Sequence, residues 1–461
     1  MPRNEPYLIV GAGLAGAKAA ESLRAEGFDG RIVLLGSEPH RPYERPELSK
    51  GYLQGTKDRD AVFVHAADWY AEHDVALRVG TAVARLDPSA HEVLTEAGDR
   101  LGYGKLLIAT GAASRHLPIP GGESARYLRT LDEAEGLRAA ISGGGRVVVV
   151  GAGWIGLETA AAARSFGAEV TVVEPQPTPL YGVLGPELGN VFAAVHRDHG
   201  VQLLLDTGVS EIRQDGVVTG TGELLAAAAV VVGVGARPRT QLAEAAGLAV
   251  DNGIVVDTLL QTSDPDIYAA GDVANAYHPG LRTQLRVEHW ANALHQGRTA
   301  GAAMLGKGLP YDRVPYFYTD QFTLGMEYSG HVQAGGYDRV VYRGTPDSGE
   351  FIAFWLSDDR VLAGMNVNVW DVSDPIQQLV RSGWAGQRVD ADRLADPDIP
   401  LDEVSRPRTR DGFRRGPAAR PGVGAPVAHD PTTRTFPPPR RPSAESRRDR
   451  CRPGDRPRSR R

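Results

Sequence analysis

The chain alternates short apolar runs with helical stretches. Tyr7-Leu8-Ile9-Val10 runs straight into Gly11-Ala12-Gly13-Leu14-Ala15-Gly16. A helical pattern follows from Leu14 to about Ala25, and Ile32-Val33-Leu34-Leu35 is the next apolar run. This spacing predicts strand, glycine turn, helix and strand. The same order recurs where Arg146-Val147-Val148-Val149-Val150 leads into Gly151-Ala152-Gly153-Trp154-Ile155-Gly156, with a helix to about Phe166 and then Val170-Thr171-Val172-Val173. Alternation of this kind predicts parallel sheets covered by helices, an α/β fold. Two such units, about 140 residues apart, predict two Rossmann-like dinucleotide-binding domains. From about Pro315 to Gly364 the pattern changes to aromatic and β-branched runs broken by Gly and Asp, which predicts a C-terminal α+β domain.

Each glycine loop carries the rest of a dinucleotide fingerprint. Glu38, beside Ser37, lies 22 residues after Gly16, and Glu174 lies 18 residues after Gly156. In this pattern the first glycine permits the tight turn, the second lets the backbone approach a pyrophosphate, and the third lets helix pack on strand. The pyrophosphate then meets free N–H groups at the positive end of the helix dipole. The carboxylate accepts from the adenosine ribose. Gly11, Gly13, Leu14, Ala15, Gly16, Ser37 and Glu38 are therefore candidates at the first site. Gly151, Gly153, Trp154, Ile155, Gly156 and Glu174 are candidates at the second, with Gly235 in a later glycine turn. No Lys or Arg stands in Pro175-Gln176-Pro177-Thr178-Pro179-Leu180-Tyr181, so the second site is expected to favour NADH over NADPH.

Length and composition narrow the function. At 461 residues the prior is about three domains. No apolar stretch approaches the roughly 18–20 residues of a membrane span, and the early strand leaves no room for a signal peptide, so a cytoplasmic protein is expected. The net charge of −6 hides a split: residues 405–461 hold 17 Arg, no Lys and 5 acids, a net +12 that leaves about −18 elsewhere. That Arg/Pro-rich tail reads as a disordered extension, and its bias is that of an out-of-frame reading after about Val404. A role in binding nucleic acid is not expected. The one cysteine, Cys451, lies in the tail, and no metal site is expected. Where disulfide reductases carry cysteine after the first unit, this chain reads Arg45-Pro46-Glu47-Leu48-Ser49-Lys50. Thiol-mediated electron transfer is therefore excluded from residues 1–404.

Two further motifs, Leu106-Leu107-Ile108-Ala109-Thr110-Gly111 and Thr262-Ser263-Asp264-Pro265-Asp266-Ile267-Tyr268-Ala269-Ala270-Gly271-Asp272, each end a strand in a glycine turn. Here the sequence resembles flavoprotein reductases with two dinucleotide domains. Pro42-Tyr43-Glu44-Arg45-Pro46-Glu47-Leu48-Ser49-Lys50, Gly153-Trp154-Ile155-Gly156-Leu157-Glu158, Val287-Glu288-His289-Trp290-Ala291-Asn292-Ala293 and Pro315-Tyr316-Phe317-Tyr318-Thr319-Asp320-Gln321 narrow the match. Together they resemble the FAD-dependent ferredoxin reductases, the family of putidaredoxin reductase and of Rieske dioxygenase reductase components, with apoptosis-inducing factor as a distant relative.

The resemblance implies a glutathione-reductase-like FAD/NAD arrangement. It places an FAD domain at 1–112 and 245–312, an inserted NAD domain at 113–244 and a C-terminal domain at 313–404. It implies hydride transfer from NADH to FAD and delivery of single electrons to a small [2Fe–2S] ferredoxin feeding an oxygenase. It further implies that Lys50 stands near the reactive edge of the flavin, paired with Glu158, as the catalytic pair. Arg45, Pro46, Val83, Ala109, Thr110, Gly111, Arg129, Gly271 and Asp272 would contact FAD, with Glu288, His289, Trp290 and Ala291 against its ring and the nicotinamide. Phe317 and Tyr318 stand where relatives often carry tryptophan. A basic docking patch is expected at Arg282, Arg286 and Arg298. Two alternatives remain: an NADH-dependent flavoprotein reducing quinone, dye or oxygen, and a redox-sensing protein like the distant relative. Monomer and homodimer are both compatible with the sequence.

Overall fold

The computed structural model describes residues 5–333 and 335–404. The predicted tail, with Cys451, lies outside the described residues, as do Met1–Asn4.

Tyr7–Val10 is buried along most of its length, in a core it shares with Ala19 and Leu23 of the following helix and with Leu86 and Val93 of the antiparallel strands Val83–Asp87 and Glu92–Thr95. That sheet has five strands, in the order Ile267–Ala269, Lys105–Ile108, Tyr7–Val10, Ile32–Leu35, Val75–Arg78, all parallel. The helix Leu14–Ala25 connects its third and fourth members and packs against Trp290–Met304. Gly297 makes that close crossing possible: a Cβ there would come within 2.3 Å of the Ala15 carbonyl oxygen. Residues far apart in sequence thus share one core. A second sheet, also parallel, runs Val201–Leu204, Glu169–Val173, Arg146–Val150, Ala229–Val232. Its fingerprint helix, Trp154–Ser165, is alanine-rich and almost wholly buried after its first two residues.

The last sheet is antiparallel, in the order Tyr316–Gln321, Leu324–Gly330, Arg360–Val367, Glu350–Ser357, Arg339–Thr345. Helix Ser373–Trp384 covers one face through Ile376, Leu379 and Val380. On the other face Phe351, Trp355, Met326 and Met365 join the core of the second sheet, so this domain is fused to its neighbour. Among the described residues no helix is long and apolar enough to cross a membrane.

His196, fully buried, tests this packing. Burial pushes its pKa down to about 4, although the contact with Gln321 acts the other way. Above the ordinary value near 6.5 the folded and unfolded chains are both neutral at this site. Between 6.5 and 4 only the unfolded chain gains the proton. Stability is therefore expected to fall with pH through that window, by up to about 1.4 kcal/mol per pH unit from one such histidine. Urea midpoints at pH 7 and pH 5 should differ less in His196→Gln, which keeps the donor to Gln321 and removes the titration.

Candidate active site

One cavity of about 610 Å³ lies at the C-terminal end of the first sheet. The turn after Tyr7–Val10 forms its floor. Gly11 has φ +118°, and a Cβ there would stand 2.1 Å from the Ala109 carbonyl oxygen. At Gly13 a Cβ would meet nothing within 4 Å, so the backbone at the helix start is open to a ligand. Gly16 is a packing glycine, close against the Gly11 carbonyl, and does not line the cavity. These features suit a pyrophosphate.

The walls gather most of the candidates of the first site: Leu14, Ala15, Ser37, Glu38, Arg45, Pro46, Lys50, Val83, Ala109, Thr110, Gly111, Arg129, Gly271, Asp272, Glu288, His289, Trp290 and Ala291. Glu38 accepts from Tyr43 Oη at 2.5 Å and from Arg45 Nη2 at 2.9 Å. Asp272 pairs with Arg129. Its turn is braced by Gln296, whose buried amide oxygen accepts from Gly271 N–H at 2.9 Å. Gln296, Tyr43, Ser49, Thr319 and Arg239 were not among the sequence candidates. Tyr43, Ser49 and Thr319 lie inside the quoted motifs, but Gln296 and Arg239 carry no local signal.

The second fingerprint contributes to the same cavity. Trp154, Ile155 and Glu158, in the first turns of their helix, line it beside Lys50. Glu158 is only 2% exposed and accepts hydrogen bonds from three groups on two segments. Lys50 Nζ and Thr319 Oγ1 each donate to its Oε1 at 2.5 Å, and Ser49 donates to its Oε2. Gln321 Nε2 donates to Thr319 at 3.2 Å, and His196 Nε2 lies 2.9 Å from Gln321 Oε1. Every donor in this buried chain points towards the carboxylate. Lys50 also stands 5.3 Å over the Tyr318 ring.

Aromatic rings close the cavity above the pair. Phe317 lies 4.6 Å from Trp154 and 5.1 Å from His289, and Trp290 meets Tyr318 edge-on at 6.3 Å. Burial pushes the His289 pKa down to about 4, so the imidazole is neutral near pH 7. His289 Nδ1 and Trp290 Nε1 find no hydrogen-bond partner among the described residues, which suits a wall that meets a polar ligand.

Gly151, Gly153, Gly156, Glu174 and Gly235 sit outside this cavity, at the end of the second sheet or beyond it. That loop repeats the first: Gly151 is at φ +101°, and Gly153 is open apart from one carbonyl at 3.8 Å. Glu174 accepts from Ala152 N–H at 2.7 Å and Gln176 N–H at 3.0 Å. The expected basic patch requires correction. Arg286 pairs with Glu288 and Arg298 bonds Glu21 at 3.3 Å, so of the three only Arg282 is an exposed arginine without such a pair. Arg286 is answered by an acid two residues along the chain, and Arg298 by one on a distant helix that only the fold brings close.

Residues 5–297 match the pyridine nucleotide-disulphide oxidoreductase family, and residues 316–405 match a reductase C-terminal domain. The chain belongs to the pyridine nucleotide-disulphide oxidoreductase family. Rhodocoxin reductase of Rhodococcus erythropolis is 41% identical, over 78% of this chain and 86% of its own. The ferredoxin–NAD(+) reductase component of the anthranilate 1,2-dioxygenase system of Burkholderia cepacia is 39% identical, over 86% and 98%. A structure of the covalent putidaredoxin reductase–putidaredoxin complex matches with a TM-score of 0.82 at 35% identity, over 87% of this chain and 98% of that one. The oxidoreductases of this family use FAD and NAD(H). The open Gly13 backbone, the two orphaned ring nitrogens and the cavity's size fit a flavin dinucleotide. The family is named for a disulphide, yet this member has no cysteine before Cys451.

Proposed function

We propose that this oxidoreductase is an NADH:ferredoxin reductase, taking hydride from NADH onto FAD and passing single electrons to a [2Fe–2S] ferredoxin that serves an oxygenase. The observation that carries the reading is that the first turns of the second fingerprint helix line the same cavity as the first glycine loop, with Lys50 and Glu158 paired where they meet. Two nucleotide sites that open on one another suit direct hydride transfer. The lack of cysteine before Cys451 leaves no thiol among the described residues to intercept the electrons. The relatives named above, a reductase component of an oxygenase system among them, support the ferredoxin. The sheet that unites 267–269 with 7–108 supports a discontinuous FAD domain at 1–112 and 245–312, with 113–244 for NAD and 313–404 beyond.

FAD supplies the chemistry of accepting two electrons together and releasing them singly. The chain supplies position and charge. Gly11, Gly13, Leu14 and Ala15 would hold the pyrophosphate, with Glu38, Arg45, Arg129 and Asp272 along the rest of the cofactor. Lys50 presents a cation that would favour negative charge at the flavin edge, and Glu158 holds that cation in place. Neutral His289 adds no competing charge. Phe317, Tyr318 and Trp290 exclude water from the reacting face. Glu174 would accept from the NADH ribose and repel a 2′-phosphate.

The test is spectroscopic. The purified chain should be yellow, bleach with NADH, and reduce cytochrome c only when a [2Fe–2S] ferredoxin is added. Fast turnover with quinone or dye, and none with any ferredoxin of a broad panel, would overturn the acceptor. A Glu174→Ala variant should narrow the gap between NADH and NADPH by about tenfold in kcat/KM, the worth of one charge contact. An unchanged ratio would remove Glu174 from the specificity.

A further inference from the structure

The charged groups around the cavity leave one cation unanswered. Four carboxylates line it, and each is already paired: Glu38 with Arg45, Glu158 with Lys50, Asp272 with Arg129, and Glu288 with Arg286. Arg239 lines the same cavity, and its guanidinium has no hydrogen-bond or ion-pair partner among the described residues. Its backbone is fixed on both sides: Arg239 N–H donates to the Gly111 carbonyl at 2.9 Å, and its own carbonyl accepts from Thr110 Oγ1 at 2.9 Å. The residue is thus tied to the turn that ends the strand Lys105–Ile108, beside the glycine loop.

A half-buried guanidinium without a counter-charge is costly unless an anion arrives. Burial, together with the nearby Arg45 and Arg129 cations, lowers the Arg239 pKa, while Glu38 and Glu133 act the other way. Neither acid is free to serve it. Glu38 holds Arg45 and Tyr43, and Glu133 caps its helix by accepting from Arg129 N–H and Thr130 N–H. A dinucleotide brings the missing charge, because its pyrophosphate is anionic and presents several acceptor oxygens to a fork of donors.

We propose that Arg239 is a binding residue for the pyrophosphate of the dinucleotide in this cavity, a cation recruited from the turn before Gln241–Ala245 to the first glycine loop. The inference rests on the reading of this cavity as the FAD site. Arg239 would act on retention of the cofactor, separately from Lys50 and Glu158.

The test titrates the full-length, flavin-stripped chain with two probes, FAD and riboflavin, which lacks the pyrophosphate. Arg239→Gln should weaken FAD binding by about 10- to 100-fold, the range for one charge-assisted contact. Riboflavin binding should not change. Arg239→Lys, which keeps the charge, should recover most of the loss, and raised salt should erode wild-type FAD affinity more than that of Arg239→Gln. Unchanged FAD affinity in Arg239→Gln overturns the proposal. So does an equal loss of riboflavin, which marks general damage to the fold. A wild-type chain that takes up no FAD overturns the reading of the cavity itself.

Discussion

Glu158→Leu should slow NADH bleaching of the bound flavin by about 100-fold or more, in the range seen when a positioned charge is removed from a reaction centre. The substitution withdraws the one acceptor shared by Lys50, Ser49 and Thr319. Lys50 is only 12% exposed on its side chain and would lose the carboxylate it is paired with. Breaking such a pair from one side costs about 3–5 kcal/mol, so the urea midpoint should fall as well. Stability and rate separate in the double variant. Lys50→Met with Glu158→Leu removes both charges and should recover much of the lost stability while the slow bleaching persists. Stopped-flow absorbance and denaturation on the same preparations decide the matter. Wild-type rates in the single variant would remove the pair from the chemistry.

Gly11→Val should yield colourless protein. The left-handed φ of +118° disfavours any side chain, and the new Cβ would stand 2.1 Å from the Ala109 carbonyl oxygen. That oxygen belongs to backbone at the end of the neighbouring strand, so neither side has room to yield. Gly13→Ala is the informative contrast. Its Cβ meets nothing within 4 Å, so the fold should survive. The methyl group would project where the cofactor's phosphates approach, and flavin content should still drop. Flavin absorbance per chain and the melting temperature of both variants separate the two effects. Full flavin content in Gly13→Ala would show that this loop does not hold the dinucleotide.

The two glycine loops were legible because each is written in one contiguous stretch. A buried parallel strand, a turn only glycine allows and a helix rich in small residues all leave their marks within about thirty residues. Resemblance then pointed to Lys50 and Glu158, and the structure brings them within 2.5 Å. The bracing around them was not legible. Thr319 reaches the carboxylate, with Gln321 and then His196 behind it, from 38 to 163 residues away in sequence, each an ordinary buried polar residue when read alone. The expected arginine patch failed for a related reason. Arg298 looked available until the fold set Glu21, on another helix, beside it.

The sequence by itself determined the local units: strand, glycine turn, helix, and an absence of cysteine from residues 1–404 that closes the thiol route there. These depend on backbone sterics and side-chain chemistry that neighbouring residues share. Only the tertiary structure decided which charges meet. Coulomb and hydrogen-bond energies depend on separation in space, and packing Leu14–Ala25 against Trp290–Met304 helps gather residues as far apart as Val10 and Tyr318 around one cavity. Lys50 is held there by Glu158, while Arg239 awaits an anion.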